Sequence, residues 1–176
     1  MSWETLGSRI VFDNPWFTVR EDHVINPGGG ENHYGHVQFK NIAVAVVPLD
    51  EDMNTWIVGQ DRYTLGEFSW EVPMGGAPRH EDPLAAARRE LREETGLAAT
   101  RWSKVMQLHT SNSITDELAY VYIAQGLTEG ASSPEETENI QIRTLPLSDA
   151  LDMVLHGEIT DAVSCAALMR VSMIGL

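Results

Sequence analysis

Three glutamates at helical spacing are the residues of this sequence whose types and positions best suit chemistry. Glu90, Glu93 and Glu94 occupy positions i, i+3 and i+4, so a helix would bring their carboxylates to one edge. Like charges one turn apart destabilise a helix by about 0.2–0.5 kcal/mol, and the negative end of the helix dipole adds to this repulsion. A hard divalent cation would offset the charge, since Mg²⁺ binds one or two carboxylates and keeps positions open for substrate phosphates. The alternative is a solvated helix face in which neighbouring arginines pair with the glutamates.

The signals for a helix lie at both ends of this segment. Asp82 is a suitable N-cap, Pro83 fits the first helical position, and Gly96 can adopt the left-handed conformation that ends a helix. We therefore predict a helix over Pro83–Thr95. Apolar residues at i, i+3 and i+7 from Leu84 form its buried stripe, which places the three glutamates on the neighbouring, solvent-facing edge.

The whole stretch 75–97 resembles the Nudix box, Gly-x5-Glu-x7-Arg-Glu-U-x-Glu-Glu-x-Gly-U, in which U is apolar. Its fixed places are filled by Gly75, Glu81, Arg89, Glu90, Leu91, Glu93, Glu94, Gly96 and Leu97. Seven of these places demand one residue type, so at roughly one in fifteen per place a chance match is on the order of one in 10^8. The resemblance implies an α/β protein with the Nudix α/β/α sandwich and a mixed central sheet. It also implies divalent-metal-dependent attack of water on a diphosphate that is joined to another group.

The resemblance assigns metal-binding roles around the box. Glu90 and Glu94 are the first metal ligands that we predict, and Glu93 is a third ligand or a catalytic bridge through water. The carbonyl of Met74, which precedes the box glycine, is the expected backbone ligand. Mg²⁺ is the expected cofactor, with Mn²⁺ as a substitute.

Two further residues of the box have other expected roles. Arg89 points about 100° away from its helical neighbour, so it can fold back on Glu93 or Glu81. We expect Arg89 to orient a carboxylate rather than to contact the substrate. For Glu81, stabilisation of the turn before the helix and metal ligation both stay open.

A general base completes the machinery for hydrolysis. In the ADP-ribose branch of the family, this base is usually a glutamate on a loop well after the box. The acidic segment 134–139 is the candidate, and its spacing before Ile140 makes Glu136 the first choice, with Glu135 and Glu138 as alternatives. The competing interpretation is an ordinary solvated acidic loop.

Other polar residues are predicted to contact the substrate. Arg62 lies in a connection that should overhang the diphosphate, where a guanidinium can bind bidentately; a surface ion pair is the alternative. Glu71 opens a Glu-Val-Pro-Met-Gly segment that resembles the lead-in to the box in the ADP-ribose and nucleotide-sugar branch. Relatives contact the distal sugar from a loop equivalent to residues 110–117. The candidates in that loop are Ser111, Ser113 and Glu117.

The same loop bears on the choice of substrate. The ADP-ribose branch often carries a proline there, and this chain has none between Leu97 and Pro134. We therefore predict hydrolysis of a nucleoside diphosphate sugar to a nucleoside monophosphate and a sugar phosphate. One alternative is an ADP-ribose diphosphatase that gives AMP and ribose 5-phosphate. Another is a nucleotide sensor without hydrolysis, although a pure binder has no need for three mutually repelling carboxylates.

Composition excludes several classes of partner. With 12 Lys and Arg against 26 Asp and Glu, the formal net charge is −14, which argues against a nucleic-acid or anionic-membrane surface. No apolar run approaches the length of a membrane span, and the first residues lack the pattern of a signal peptide. The single cysteine, Cys165, excludes an internal disulfide and fits a reducing compartment. We expect a cytoplasmic protein that acts on a small-molecule nucleotide.

Three predicted strands, at 9–12, 16–25 and 32–39, form a β-meander before the box region. A small antiparallel sheet of this kind is only marginally stable alone, so residues 1–39 are expected to be a dimerisation element and not an independent domain. In Nudix relatives that act on ADP-ribose and nucleotide sugars, a similar sheet takes part in a homodimer; packing on its own domain is the alternative. Residues 40–176 are expected to form the Nudix domain. Its further predicted elements are strands 42–47, 54–59, 68–72, 105–109, 118–124 and 140–146, a helix capped by Ser148, and a helix over 161–173.

Overall fold

The structure is a computed structural model that describes residues 2–130 and 139–174. Its N-terminal strands form an antiparallel sheet in the order β1-β2-β3. The strands are β1 (Glu4–Asp13), β2 (Phe17–Ile25) and β3 (Glu31–Phe39). None of the helices in the described ranges combines the length and the apolar character needed to cross a membrane.

The second sheet is mixed, as predicted. Within the described residues it has seven strands, in the main order β10-β5-β4-β9-β8, with β6 paired to β5 and β7 paired to β4. β4 and β9 are parallel, whereas the other pairs are antiparallel. The strands are β4 (Asn41–Leu49), β5 (Asn54–Arg62), β6 (Glu67–Glu71), β7 (Met74–Pro78), β8 (Leu97–His109), β9 (Leu118–Glu129) and β10 (Gln141–Pro146). The helices are α1 (Pro83–Thr95), α2 (Leu147–Leu155) and α3 (Ala162–Met173).

Strand β4 divides the hydrophobic core into two layers because its side chains alternate between the faces of the sheet. Val44 and Val46 belong to the cluster that contains the buried alanines and Leu91 of α1. Ala45 and Val47 belong to the opposite cluster, which contains the buried apolar residues of α2 and α3. The sheet therefore lies between α1 and the α2/α3 pair, and the predicted α/β/α sandwich is confirmed.

Several local predictions differ from the structure; strand β1, for example, begins at Glu4 rather than at 9. Strand β7 was not predicted, because its run of small residues lacks the β-branched pattern of a strand. Strand β8 begins at Leu97, directly after α1, rather than at 105. The predicted cap Ser148 is wrong: α2 begins at Leu147, no side chain caps it, and the Ser148 hydroxyl donates to Asp149 Oδ1 at 3.2 Å.

The N-terminal sheet is tied to the rest of the chain through the loop 110–117. The Val37 N–H donates to the Ile114 carbonyl at 2.8 Å, and the Asp116 N–H donates to the Val37 carbonyl at 3.2 Å. The Asp116 carboxylate also accepts the Phe39 N–H at 2.7 Å. The loop thus continues the edge of β3 as a short parallel bridge.

Candidate active site

Helix α1 carries the box glutamates and forms as its sequence predicts. The Asp82 carboxylate accepts the Ala85 N–H at 3.2 Å and caps the first turn. At the other end, Gly96 has φ 74° and its N–H donates to the Arg92 carbonyl, so the helix ends in the left-handed residue. The glutamates therefore project from the last two turns of a well-capped helix.

The box glycine is required by the close approach of α1 to β7. A Cβ placed on Gly75 would lie 2.1 Å from Glu90 Cδ and 2.3 Å from each of its carboxylate oxygens. No side chain can occupy that position while Glu90 keeps its place. Gly75 thus allows the Glu90 carboxylate to lie directly over the backbone of β7.

Glu94 is buried, which corrects the expectation that all three glutamates face solvent. Glu94 is only 2% exposed, and its Oε2 accepts the Met74 N–H at 2.9 Å. The β7 segment covers this side of α1, a long-range contact that helical periodicity does not reveal. Glu90 and Glu93 stay more accessible, with side-chain exposures of 13% and 36%.

The pairing of β4 with β7 sets the direction of the Met74 carbonyl. The Val46 N–H donates to the Pro73 carbonyl at 2.9 Å, and the next pair in the register is Ala45 with Met74. Because hydrogen-bonded and non-bonded pairs alternate in an antiparallel ladder, both backbone groups of Met74 point away from β4. The Met74 carbonyl therefore lies on the same side of β7 as the N–H that reaches Glu94.

Arg89 lies at the centre of the acidic cluster and makes the predicted contact with Glu93. Its guanidinium donates to Glu90 at 2.8 Å, to Glu93 at 3.0 Å and to the Gly76 carbonyl at 3.1 Å, and it lies 3.5 Å from Glu81. Burial lowers the pKa of Arg89, but the neighbouring Glu90 and Glu93 carboxylates more than offset it, so the net pKa is raised. Arg89 thus remains charged and joins α1 to the backbone of β7.

Arg62 and Glu71 form a bidentate ion pair. The Arg62 Nε donates to Glu71 Oε1 at 2.8 Å, and its Nη2 donates to Oε2. The side chain of Glu71 is 5% exposed, whereas that of Arg62 is 37% exposed. The hydrogen bond to Glu71 raises the pKa of Arg62, and the charges of Glu94 and Asp161 add to the effect. These contacts use two of the five guanidinium N–H groups, so the remaining three can serve another ligand.

A cavity of about 390 Å³ lies beside this pair. Arg62 and Met74, the residue of the predicted backbone ligand, both line it. The remaining lining residues are Thr64, Leu65, Ser69, Glu71, Thr160, Asp161 and Ala162.

The loop 110–117 lies against the N-terminal sheet. Ser113 lines a second cavity of about 390 Å³ with residues of that sheet, and its carbonyl accepts the Tyr34 hydroxyl. The Ser111 carbonyl accepts the Ile114 N–H at 3.0 Å within the loop, and the Glu117 carboxylate accepts the Thr110 hydroxyl. None of these three predicted residues lines the cavity beside Arg62.

Two residues at the start of α3 were not predicted as part of the site. Asp161 lines the cavity beside Arg62, and the buried Ser164 hydroxyl accepts the Val72 N–H at 3.0 Å. The sequence predicted a helix that starts at Asp161, but it did not indicate the contact of Ser164 with Val72, which lies 92 residues away. The predicted base Glu136 and its alternatives Glu135 and Glu138 lie outside the described residues.

The donor set fits a hard divalent cation. Among residues 2–130 and 139–174, no three His, Cys, Asp or Glu side chains form a complete metal cage. Mg²⁺ does not require one, because it is commonly held by one or two carboxylates together with water and substrate phosphates. Glu90, Glu94 and the Met74 carbonyl supply only oxygen atoms, and the Gly75 backbone leaves room for the Glu90 carboxylate.

Comparison with known proteins places these features in a family. The NUDIX domain model matches residues 39–163, and the model of the nucleoside diphosphate sugar hydrolase N-terminal domain matches residues 3–37. The chain is 35% identical to an ADP-ribose pyrophosphatase of Mycobacterium tuberculosis over 96% of this chain and 83% of the relative. It is 30% identical to a GDP-mannose pyrophosphatase of an Enterobacter species over 69% of this chain and 63% of the relative.

A solved structure of an ADP compounds hydrolase has the same fold. It superposes with a TM-score of 0.88 at 21% identity and covers 98% of this chain and 93% of that protein. The matched domain spans well over half of the sequence, and the complete box lies within it. The chain is therefore a member of the Nudix hydrolase family.

Proposed function

We propose that this enzyme hydrolyses the diphosphate of a nucleoside diphosphate sugar and releases a nucleoside monophosphate and a sugar phosphate. The observation that carries the proposal is the cavity that Met74 shares with Arg62, because Met74 is also the residue whose N–H donates to the box glutamate Glu94 at 2.9 Å. A diphosphate needs cations beside it, because its negative oxygens must be neutralised before water can attack phosphorus. Family relatives named for ADP-ribose and GDP-mannose support this class of substrate.

In this proposal, Glu90, Glu94 and the Met74 carbonyl hold Mg²⁺, and Mn²⁺ can replace it. A divalent cation bound there shields the phosphate oxygens and favours attack at phosphorus. Glu93 is a further ligand or acts through water, with its carboxylate oriented by Arg89 at 3.0 Å.

Arg62 is proposed to bind the diphosphate through the N–H groups that Glu71 does not use. The bidentate pair fixes the plane of the guanidinium before the substrate arrives, which reduces the entropy lost on binding. Glu71 then acts on the substrate through Arg62, since both of its carboxylate oxygens accept hydrogen bonds from that side chain. Ser111, Ser113 and Glu117 are proposed to contact the sugar from the loop 110–117.

Glu136 is proposed as the general base that accepts a proton from the attacking water. Glu136→Gln should lower kcat by at least about 10²-fold, the scale of general-base catalysis, and should leave Mn²⁺ affinity unchanged. Glu135→Gln and Glu138→Gln are matched controls that should retain most of the activity. A Glu136→Gln enzyme with kcat near that of the wild type would remove Glu136 from this role.

The substrate is tested by comparing kcat/KM for GDP-mannose, UDP-glucose, ADP-glucose and ADP-ribose, with identification of both products. The loop 110–117 contains no proline, which favours a nucleotide sugar over ADP-ribose. A second candidate is ADP-ribose diphosphatase activity, favoured by the 35% identity to the mycobacterial relative. If none of the four is hydrolysed with Mg²⁺ or Mn²⁺, the proposed nucleotide-sugar substrate is wrong and the result favours a nucleotide sensor.

We also propose that residues 1–39 are a dimerisation element and that residues 40–176 form the catalytic domain. Strand β1 is exposed along its entire length, so an apolar surface lies open on the N-terminal sheet. The exposed large apolar residues in and beside β1 are Trp3, Leu6, Ile10, Val11, Phe12 and Trp16. A second copy of the chain would cover this surface. We propose a cytoplasmic location because the single cysteine fits a reducing compartment.

A further inference from the structure

A buried serine of α3 is joined to the segment that leads into the proposed metal site. Ser164 is fully buried, and its hydroxyl oxygen accepts the Val72 N–H at 3.0 Å. Strand β6 ends just before Val72, and strand β7 begins two residues after it. The Val72 N–H therefore lies outside both strand ladders and needs a side-chain acceptor. Ser164 supplies that acceptor from the opposite layer of the fold.

Side chains hold the segment 71–74 at three places, in addition to the Pro73 carbonyl, which accepts the Val46 N–H. Glu71 binds Arg62, the Val72 N–H binds Ser164, and the Met74 N–H binds Glu94. These anchors come from β5, α3 and α1. Since the peptide planes on either side of a residue set the direction of its carbonyl, restraint of the segment restrains the proposed Met74 ligand.

The serine is itself held in place by the N-cap of its helix. The Ser164 N–H donates to Asp161 Oδ2 at 2.7 Å, and Asp161 has the extended backbone conformation of an N-cap, with φ −62° and ψ 127°. Asp161 also lines the cavity with Arg62 and Met74. The first turn of α3 is therefore in contact with both the segment and the cavity.

We infer that Ser164 is a positioning residue for the metal site, which supports the pairing of β7 with β4 by fixing the segment 71–74, so that the Met74 carbonyl keeps the direction set by that pairing. This inference rests on the proposed function for the identity of the Met74 ligand. It adds a role for α3, whose Ser164 hydroxyl reaches the segment 71–74.

The test uses three full-length variants. Ser164→Ala removes the acceptor, Ser164→Thr retains a hydroxyl, and Val171→Ala truncates another buried side chain of α3 that has no polar contact with the segment. Each is measured by amide hydrogen exchange of Val72 and Met74 without metal, by Mn²⁺ titration, and by thermal unfolding. Hydrolysis is measured separately.

Ser164→Ala should accelerate exchange at Val72 and Met74 and raise the Kd for Mn²⁺ about tenfold, the effect of one lost buried hydrogen bond. Ser164→Thr should keep the exchange rates and the Kd for Mn²⁺ near those of the wild type. Val171→Ala should lower the Tm without changing Mn²⁺ affinity. If Ser164→Ala does not fold, Ser164→Cys replaces it, since its thiol is a weaker acceptor and must also weaken Mn²⁺ binding.

A Ser164→Ala protein that binds Mn²⁺ within twofold of the wild type would overturn the inference. The same conclusion follows if Val171→Ala weakens Mn²⁺ binding as much as Ser164→Ala does. Exchange and Mn²⁺ binding need no substrate, so a wild type that hydrolyses nothing would remove the proposed function and leave this comparison intact.

Discussion

Gly75→Ala is the sharpest test of how the site is built, because it adds one methyl group where Glu90 meets β7. The new Cβ would lie 2.1 Å from Glu90 Cδ, and ordinary contact begins at 3.4 Å, so the carboxyl group must retreat by about 3.4 − 2.1 = 1.3 Å. A shift of about 1 Å in a reacting group can cost about 10²-fold in rate. We therefore expect kcat/KM to fall about 10²-fold, which corresponds to about 2.7 kcal/mol of transition-state stabilisation.

Stability should respond differently from activity in this variant. The displaced group is the end of a side chain, and replacement of glycine restricts the unfolded chain, so the free energy of unfolding should change by less than about 1 kcal/mol. Urea unfolding and steady-state hydrolysis of the best substrate measure the two effects.

Gly76→Ala is the matched control for this experiment. Its Cβ would meet Asn41 Nδ2 at 2.9 Å rather than a carboxylate, and alanine keeps the backbone carbonyl that accepts the Arg89 hydrogen bond. We expect this variant to retain kcat/KM within about threefold, since its clash does not reach Glu90. The reasoning is refuted if Gly75→Ala keeps kcat/KM within threefold of the wild type, or if Gly76→Ala loses as much activity as Gly75→Ala.

Three further predictions follow from contacts elsewhere in the molecule. Arg89→Lys should lower kcat/KM at least about tenfold in steady-state assays, because one ammonium group cannot replace the hydrogen bonds that the guanidinium makes to two carboxylates and a carbonyl. Near wild-type activity would contradict this. Asp22 accepts two hydrogen bonds from Arg20, at 2.8 and 2.7 Å, which lower the pKa of its carboxyl group well below the ordinary value. Since the folded pKa is the lower one, the stabilisation is present at neutral pH and is lost as the pH falls below about 4. Asp22→Asn should therefore lower the free energy of unfolding, measured by urea denaturation, by about 2 kcal/mol at pH 7. The difference between the wild type and the variant should become smaller in acid, and a difference that does not depend on pH would exclude the Asp22 carboxylate as its source. Ile10 is 66% exposed, and Ile10→Glu should convert the proposed dimer to monomers in sedimentation equilibrium; a wild type that is already monomeric would disprove the dimer.

Local signals in the sequence were enough to predict α1 and its acidic cluster. The Asp82 cap and the Gly96 end depend on neighbouring residues, and both form as expected. The contact of Arg89 with Glu93 follows from helical geometry alone. The continuous apolar run in β4 likewise predicted a strand covered on both faces.

Features that depend on distant pairing could not be predicted in the same way. Strand β7 exists because it pairs with β4, and its Gly75 is explained by the proximity of Glu90 rather than by strand propensity. The burial of Glu94 depends on the same strand. The contact of Ser164 with Val72 joins residues 92 positions apart, and nothing in the local sequence of either specifies the other.

The segment 71–74 is bound by helices on both sides of the sheet, α1 and α3, and this affects the order in which the protein folds. Its hydrogen bond to α1 spans 20 residues, whereas its hydrogen bond to α3 spans 92, so the second contact closes a much longer loop. A partly folded chain in which only α1 has docked on the sheet would contain Glu90, Glu93 and Glu94 in a helix but would leave the segment without its contact to α3. During refolding, recovery of Mn²⁺ affinity should therefore follow the docking of α3 rather than the formation of α1. Metal binding in this protein then reports completion of the whole sandwich.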